Sequence, residues 1–270
     1  MATHLPERPL NWGSYGKLRA VLAKASHRRA VLFVHGYGGD ALGTWSRFHE
    51  MLPEEAQCAH HDLFFYEYDG LYANMDASAA SFRRLLDLLF ENPAAVINLS
   101  LPDAVRRPKD FAYDQIVLVA HSLGAAIVRK ALLSAWREKA DWWGKTKLVL
   151  FAPAHKGARI ARLAEQVIGG FRFLPFVAGI WKFKSPLVEE LMPGSPYLTQ
   201  LEEETLAALA AGARPTLVAD RVFYAQHERI VEGLRFAEDP DPVALEGNHF
   251  SICKPMEHFQ DPVLEVAKLL

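Results

Sequence analysis

Short blocks of uninterrupted branched or aromatic residues recur along this chain, and most are followed by a stretch whose apolar positions fall at helical spacing. Residues 30–34, 63–68, 116–120, 147–151, 222–225 and 243–245 read as strands, most of them apolar on both faces and therefore covered from both sides. Helical periodicity resumes at Thr44, with Trp45, Phe48, Met51 and Leu52 on one side. A longer helix carries Phe82, Leu85, Leu86, Leu89 and Phe90, with Asp76 placed to cap it. Another follows Ser122, with Leu123, Ile127, Val128, Ala131 and Leu132 on its face. Residues 201–211 form a further helix, and Asp261-Pro262 supplies a cap and a first-turn proline for a closing one. Residues 1–29 read as a short leader or first helix. Strands alternating with helices predict an α/β protein, a mostly parallel sheet flanked by helices, with functional residues on loops at the strands' carboxyl ends.

One segment breaks the rhythm. Residues 154–200 are apolar yet irregular, with aromatics among helix breakers in Gly169-Gly170-Phe171-Arg172-Phe173-Leu174-Pro175-Phe176 and a turn cluster at Pro193-Gly194-Ser195-Pro196. This pattern fits a lid or cap insertion over a site better than a core element. A hairpin of helices shielding the sheet edge would give the same pattern. If it is a cap, Phe171, Phe173, Phe176 and Trp181 are its substrate-binding candidates.

Composition narrows the class. With 270 residues, half of them hydrophobic, the chain can bury one substantial core, so residues 1–270 read as a single domain. A net charge of −2 with both signs mixed argues against nucleic acid as a partner. Cys58 and Cys253 are too far apart for a metal motif and read as reduced thiols. No signal-peptide core is evident near Met1, which leaves the Asn98-Leu99-Ser100 glycosylation triplet without meaning. The longest apolar stretch, 167–181, carries Arg172 and Pro175 and falls short of the roughly 20 residues a bilayer requires. A soluble, cytoplasmic protein is expected.

The chemistry starts at Ser122. The frame Ala120-His121-Ser122-Leu123-Gly124 lies between a buried strand and an amphipathic helix, as a G-x-S-x-G nucleophile elbow does, with Ala120 in place of the first glycine. A strand-end serine also caps helices, so further partners are required. A serine nucleophile needs a base, and the base a group that orients it. Of the 11 histidines, His35 and His121 follow buried strands and read as packing residues, while His60 and His61 precede a strand. His249, in the glycine turn after the last strand, is the favoured base, with His258 a weaker rival. Glu228, just beyond residues 222–225, is the favoured acid. Asp239 and Asp241, in a proline-punctuated loop, remain open, and Asp220 lies at the wrong strand end. Backbone N–H groups of Leu123 and Tyr37 are the candidate oxyanion donors, Tyr37 sitting in the glycine-rich His35-Gly36-Tyr37-Gly38-Gly39-Asp40 loop. That loop has neither the G-K-[ST] nor the G-x-G-x-x-G pattern of phosphate binders. His60, His61 and Asp62 lack ligand geometry, so no metal is predicted.

These residues resemble the α/β-hydrolase superfamily, and within it the lipase-like branch of GPI-inositol deacylases and serine-active-site-containing esterases. The glycine loop followed by Gly43-Thr44-Trp45, the elbow, and the Asn248-His249-Phe250-Ser251-Ile252-Cys253-Lys254-Pro255 tail carry the resemblance, with Pro193-Gly194-Ser195, Leu198 and Leu201 in support. It spans residues 28–270. It implies a Ser-acid-His triad on Ser122 and His249; Glu228 stands where aspartate is usual. Fewer than 30 residues precede the first assigned strand, so one or both opening strands of that fold are expected to be missing. The expected activity is hydrolysis of a carboxylic, lipid-like acyl ester without a cofactor, with transient contact at a membrane surface. A non-catalytic binding or scaffold protein on the same fold, or an amide or peptide hydrolase, are the alternatives.

Overall fold

The structure, a computed structural model, describes residues 3–13, 16–69, 73–159 and 186–270. Eight strands form one sheet: β1 (Arg8–Leu10), β2 (Lys17–Val21), β3 (Arg29–Val34), β4 (His61–Glu67), β5 (Gln115–His121), β6 (Thr146–Phe151), β7 (Arg221–Ala225) and β8 (Val243–Leu245). Their order is β1-β2-β4-β3-β5-β6-β7-β8. β1 and β2 run antiparallel to their neighbours, and every pairing from β4 to β8 is parallel. The expected α/β class and mostly parallel sheet are what the chain adopts.

The central strands follow from their sequence. Val31, Leu32, Phe33 and Val34 of β3 and Ile116 to Ala120 of β5 are buried on both faces. Fully burying each larger apolar side chain contributes about 1.5–3 kcal/mol, which places these strands in the middle of the sheet. The described helices are α1 (Phe48–Met51), α2 (Met75–Glu91), α3 (Pro93–Ile97), α4 (Leu123–Arg137), α5 (Pro186–Glu190), α6 (Pro196–Ala210), α7 (Arg214–Leu217) and α8 (Asp261–Ala267). Among the described residues no helix is long and apolar enough to cross a membrane.

Several expectations are corrected. The described part of residues 1–29 forms strands β1 and β2 in place of the expected leader or helix, so the opening strands are present. In β2 exposed Lys17 and part-buried Arg19 alternate with buried Leu18 and Ala20, the period-2 pattern of a half-covered strand, which its basic residues hide. Thr44 lies in turns, and the helix there is confined to Phe48–Met51. Asn74 rather than Asp76 caps α2, its side chain accepting the Ala77 N–H at 2.8 Å, while Asp76 receives the Tyr197 hydroxyl. α6 begins inside the expected turn cluster, five residues early, because Ser195 caps it and Pro196 fits the first turn. In α8 Gln260 holds the cap position and makes no side-chain cap bond, so Asp261 is already helical. Asp62 belongs to a buried structural network: it accepts the Ala23 N–H, the Arg107 guanidinium at 2.9 Å and the Tyr113 hydroxyl at 2.6 Å.

A second buried ion pair joins α4 to the loop before β8. Arg129, on the apolar face of α4, is fully buried and pairs with Asp239 at 2.6 Å while donating to the Leu217 carbonyl. Asp239 also accepts the Ala219 N–H at 2.9 Å. Asp239→Asn leaves the guanidinium buried without its counter-charge, and the cost of breaking such a pair is about 3–5 kcal/mol. The expected outcome is an unfolding free energy lowered by that amount, read as a lower urea midpoint at unchanged slope.

The amino ends of the strands carry buried histidines. Burial holds the pKa of His4 below its ordinary value and that of His61 at about 4, with Arg29, His27, His4 and His60 adding positive charge around His61. Folded His61 therefore excludes a proton that the unfolded chain binds from an ordinary value near 6.5 down to about 4. Its stabilising contribution is complete above pH 6.5 and is lost as pH falls through that window. Unfolding midpoints measured from pH 7 to 4 should fall steeply for the wild type and less steeply for His61→Gln.

Candidate active site

Strand β5 ends at His121 and α4 starts at Leu123, leaving Ser122 alone to make the turn. Its φ of 53° and ψ of −122° are a strained conformation for a residue with a side chain, the geometry of a nucleophile elbow. The turn is held by backbone bonds: Ser122 N–H donates to the Phe151 carbonyl at 3.0 Å, and the Ser122 carbonyl accepts the Ala154 N–H at 3.1 Å. Close approach makes it possible. A Cβ on Gly124 would strike the Val34 and His35 carbonyls, and one on Gly36 would sit 2.8 Å from the Ser122 Cβ. Ala120 pairs with Val34 across the sheet and is fully buried, so a methyl is accommodated where the elbow motif has its first glycine.

His249 and Glu228 reach this serine from two neighbouring loops. His249 Nε2 lies 3.0 Å from Ser122 Oγ, and His249 Nδ1 lies 3.1 Å from Glu228 Oε2. A carboxylate only accepts, so Nδ1 carries the proton and Nε2 is left to receive the serine hydroxyl. The loops are tied together where they leave β7 and β8: the Gln226 and His227 N–H groups donate to the Leu245 and Gly247 carbonyls. Asn248 and Ser251 then clasp the histidine turn, Asn248 Oδ1 accepting two backbone N–H groups and Ser251 Oγ accepting the Asn248 N–H.

Glu228 serves its own loop as well. Its Oε1 accepts the N–H groups of Arg229, Ile230 and Val231 at 3.0, 2.8 and 3.2 Å. Burial by itself would raise this carboxyl. The hydrogen bond and charge of His249, together with the Ile230 and Val231 amides, outweigh it and hold the pKa below the ordinary carboxylate value.

The other acids are placed elsewhere. Asp239 is committed to Arg129, Asp241 is exposed near Arg235, and Asp220 accepts the Leu148 N–H. His258 is exposed. His35 is buried, its Nδ1–H donating to the Gly36 carbonyl at 2.7 Å and its Nε2 accepting the Tyr68 N–H at 3.2 Å, while its ring stacks on Tyr68. It thus braces the glycine loop that carries Tyr37. Leu123 opens α4, where the first-turn N–H groups have no acceptor within the helix.

Two features escape the sequence reading. Arg129 is a charge on an apolar helix face, and that mismatch is the signal for its buried partner. His155, just beyond β6, is buried against Phe236 with its ring centroid 4.3 Å away. The four aromatic candidates Phe171, Phe173, Phe176 and Trp181 lie outside the described residues. Among the described residues, no group of three or more His, Cys, Asp or Glu side chains is arranged to hold a metal ion.

No protein-family model matches the chain, and no curated protein sequence is similar to it. Solved structures are similar in shape. The mature form of the lipase BlEst2 from Bacillus licheniformis superposes with a TM-score of 0.57 at 15% identity, over 94% of this chain and 99% of that one. The peroxisomal alpha-beta-hydrolase Lpx1 of Saccharomyces cerevisiae gives 0.55 at 9% identity, over 100% and 90%. The 2-hydroxy-6-oxo-6-phenylhexa-2,4-dienoate hydrolase of Rhodococcus sp. strain RHA1 gives 0.52 at 15% identity, over 99% and 100%. With its opening antiparallel strands, its parallel body and the turn at Ser122, the chain has the α/β-hydrolase fold.

Proposed function

We propose that the protein is a serine hydrolase that cleaves carboxylic esters through an acyl-enzyme on Ser122. The observation that carries this reading is the continuous hydrogen-bonded chain Ser122 Oγ–His249–Glu228, at 3.0 and 3.1 Å, with the serine in a strained elbow. In this reading Ser122 Oγ attacks the ester carbonyl carbon as His249 Nε2 takes its proton. Glu228 stabilises the imidazolium. The N–H groups of Leu123 and Tyr37 receive the oxyanion of the tetrahedral intermediate. Collapse expels the alcohol, which leaves with the proton from His249. Water, deprotonated by the same imidazole, then hydrolyses the acyl-enzyme and regenerates Ser122. No cofactor enters these steps.

The substrate reading is a lipid-like acyl ester bound by a single domain, with residues 154–200 as a cap that supplies Phe171, Phe173, Phe176 and Trp181. The aromatic content of that segment and the sequence resemblance to GPI-inositol deacylases and related esterases support it. The lipase named among the structural neighbours is in keeping with it.

A fluorophosphonate probe tests the chemistry. The wild type should label covalently and Ser122→Ala should not. His249→Gln should slow labelling by about 10⁴-fold and Glu228→Gln by about 10²- to 10⁴-fold. A folded wild type that stays unlabelled overturns the proposal. On nitrophenyl esters of increasing chain length kcat/KM should rise with the acyl chain; a strong preference for acetate would overturn the lipid-like substrate alone.

A further inference from the structure

His121 reads from sequence as a packing residue, and the structure gives its ring a specific partner. Buried beside Ser122, it places Nε2 2.8 Å from the backbone carbonyl oxygen of His249. A carbonyl only accepts, so Nε2 bears the proton and Nδ1 a lone pair. Nδ1 is buried and has no hydrogen-bond partner. Gly36 crowds it, since a Cβ there would lie 3.0 Å away. The groups that face this ring are His249, His35, Lys254 and the edge-on indole of Trp45. Burial, followed by electrostatic interactions with His249, Lys254 and His35, pushes the His121 pKa well below the ordinary value. The ring is therefore a neutral, single-tautomer donor.

Its target matters more than its burial. The other bonds described above around His249 come from its own turn or from the acid loop. The bond from His121 comes from the strand that carries the nucleophile, one residue before Ser122. It ties the His249 backbone to the side chain next to Ser122 and so constrains the separation of Ser122 Oγ and His249 Nε2.

We infer that His121 is a positioning residue, whose Nε2–H holds the His249 carbonyl and so keeps the imidazole aligned between Ser122 and Glu228. The inference rests on the reaction proposed above. Its test separates the two ideas by combining ester turnover and fluorophosphonate labelling with the downfield proton resonance of His249 Nδ1–H, which reports imidazole alignment without requiring turnover. His121→Leu removes the donor; His121→Gln puts an amide N–H where Nε2 was. The leucine variant should lose about 10- to 100-fold in kcat at unchanged KM and lose or shift the His249 resonance. The glutamine variant should restore most of both. If the leucine variant does not fold, His121→Asn, whose amide falls short of the carbonyl, takes its place with the same expectation. An unshifted resonance and unchanged kcat in the donor-less variant overturn the inference, as does equal loss in the glutamine variant. An unlabelled wild type overturns the hydrolase proposal, and the resonance still decides the positioning role.

Discussion

The backbone contact between the start of α4 and the end of β3 is the constraint on which the site depends. Ser122 turns the chain from strand to helix within one residue, and it can do so only because Gly124 lets α4 lie against the Val34 and His35 carbonyls. Any side chain at 124 would push the helix away and relax the turn. The glycine loop after β3 is drawn into the same contact, since Gly36 abuts the Ser122 Cβ. Ser122 and the glycine loop after β3 are therefore placed by one packing event between buried backbones. The strain at Ser122 is offset by the apolar burial of β3 and β5 on either side.

A glutamate at the candidate acid position fits the geometry of its loop. Glu228 caps its own turn with one oxygen and faces His249 with the other. The same loop holds the start of the 154–200 segment, since the Arg159 N–H donates to the Ile230 carbonyl at 2.7 Å and Ala158 bridges to Val231. A side chain one methylene shorter would reach the turn amides or the imidazole, and the loop asks for both. Glutamate thus suits a loop that contacts His249 and anchors the neighbouring segment together.

Much of this was legible in the sequence, for identifiable reasons. Strands buried on both faces announce themselves by runs such as Val31-Leu32-Phe33-Val34, and the elbow follows such a strand, whereas His249 follows β8, whose Val243 and Ala244 are exposed. Half-covered strands are harder to see: β2 alternates over five residues with Lys17 and Arg19 on its open side, and β1 spans only Arg8–Leu10. Cap positions slipped by one or two residues because Asn74 and Asp76 are equally good cap residues in isolation. Proximity decided between them, since Tyr197 lies within reach of Asp76. Asp239 stayed open as the acid because its partner, Arg129, lies 110 residues earlier on an unrelated element. Long-range charge pairing leaves no trace in local spacing.

Charge placement around His249 completes the physical account. A base that becomes an imidazolium during turnover is helped by a nearby carboxylate and hindered by any other cation in the same low-dielectric space. Three further histidines lie near the carboxyl ends of β3, β5 and β6, and burial keeps His35, His121 and His155 neutral. The buried guanidinium of Arg129 is paired with Asp239, which offsets its charge within the core. Burial thus does electrostatic work as well as packing work. Glu228 faces the imidazole as an ionised carboxylate, and the nearby buried histidines add no competing positive charge.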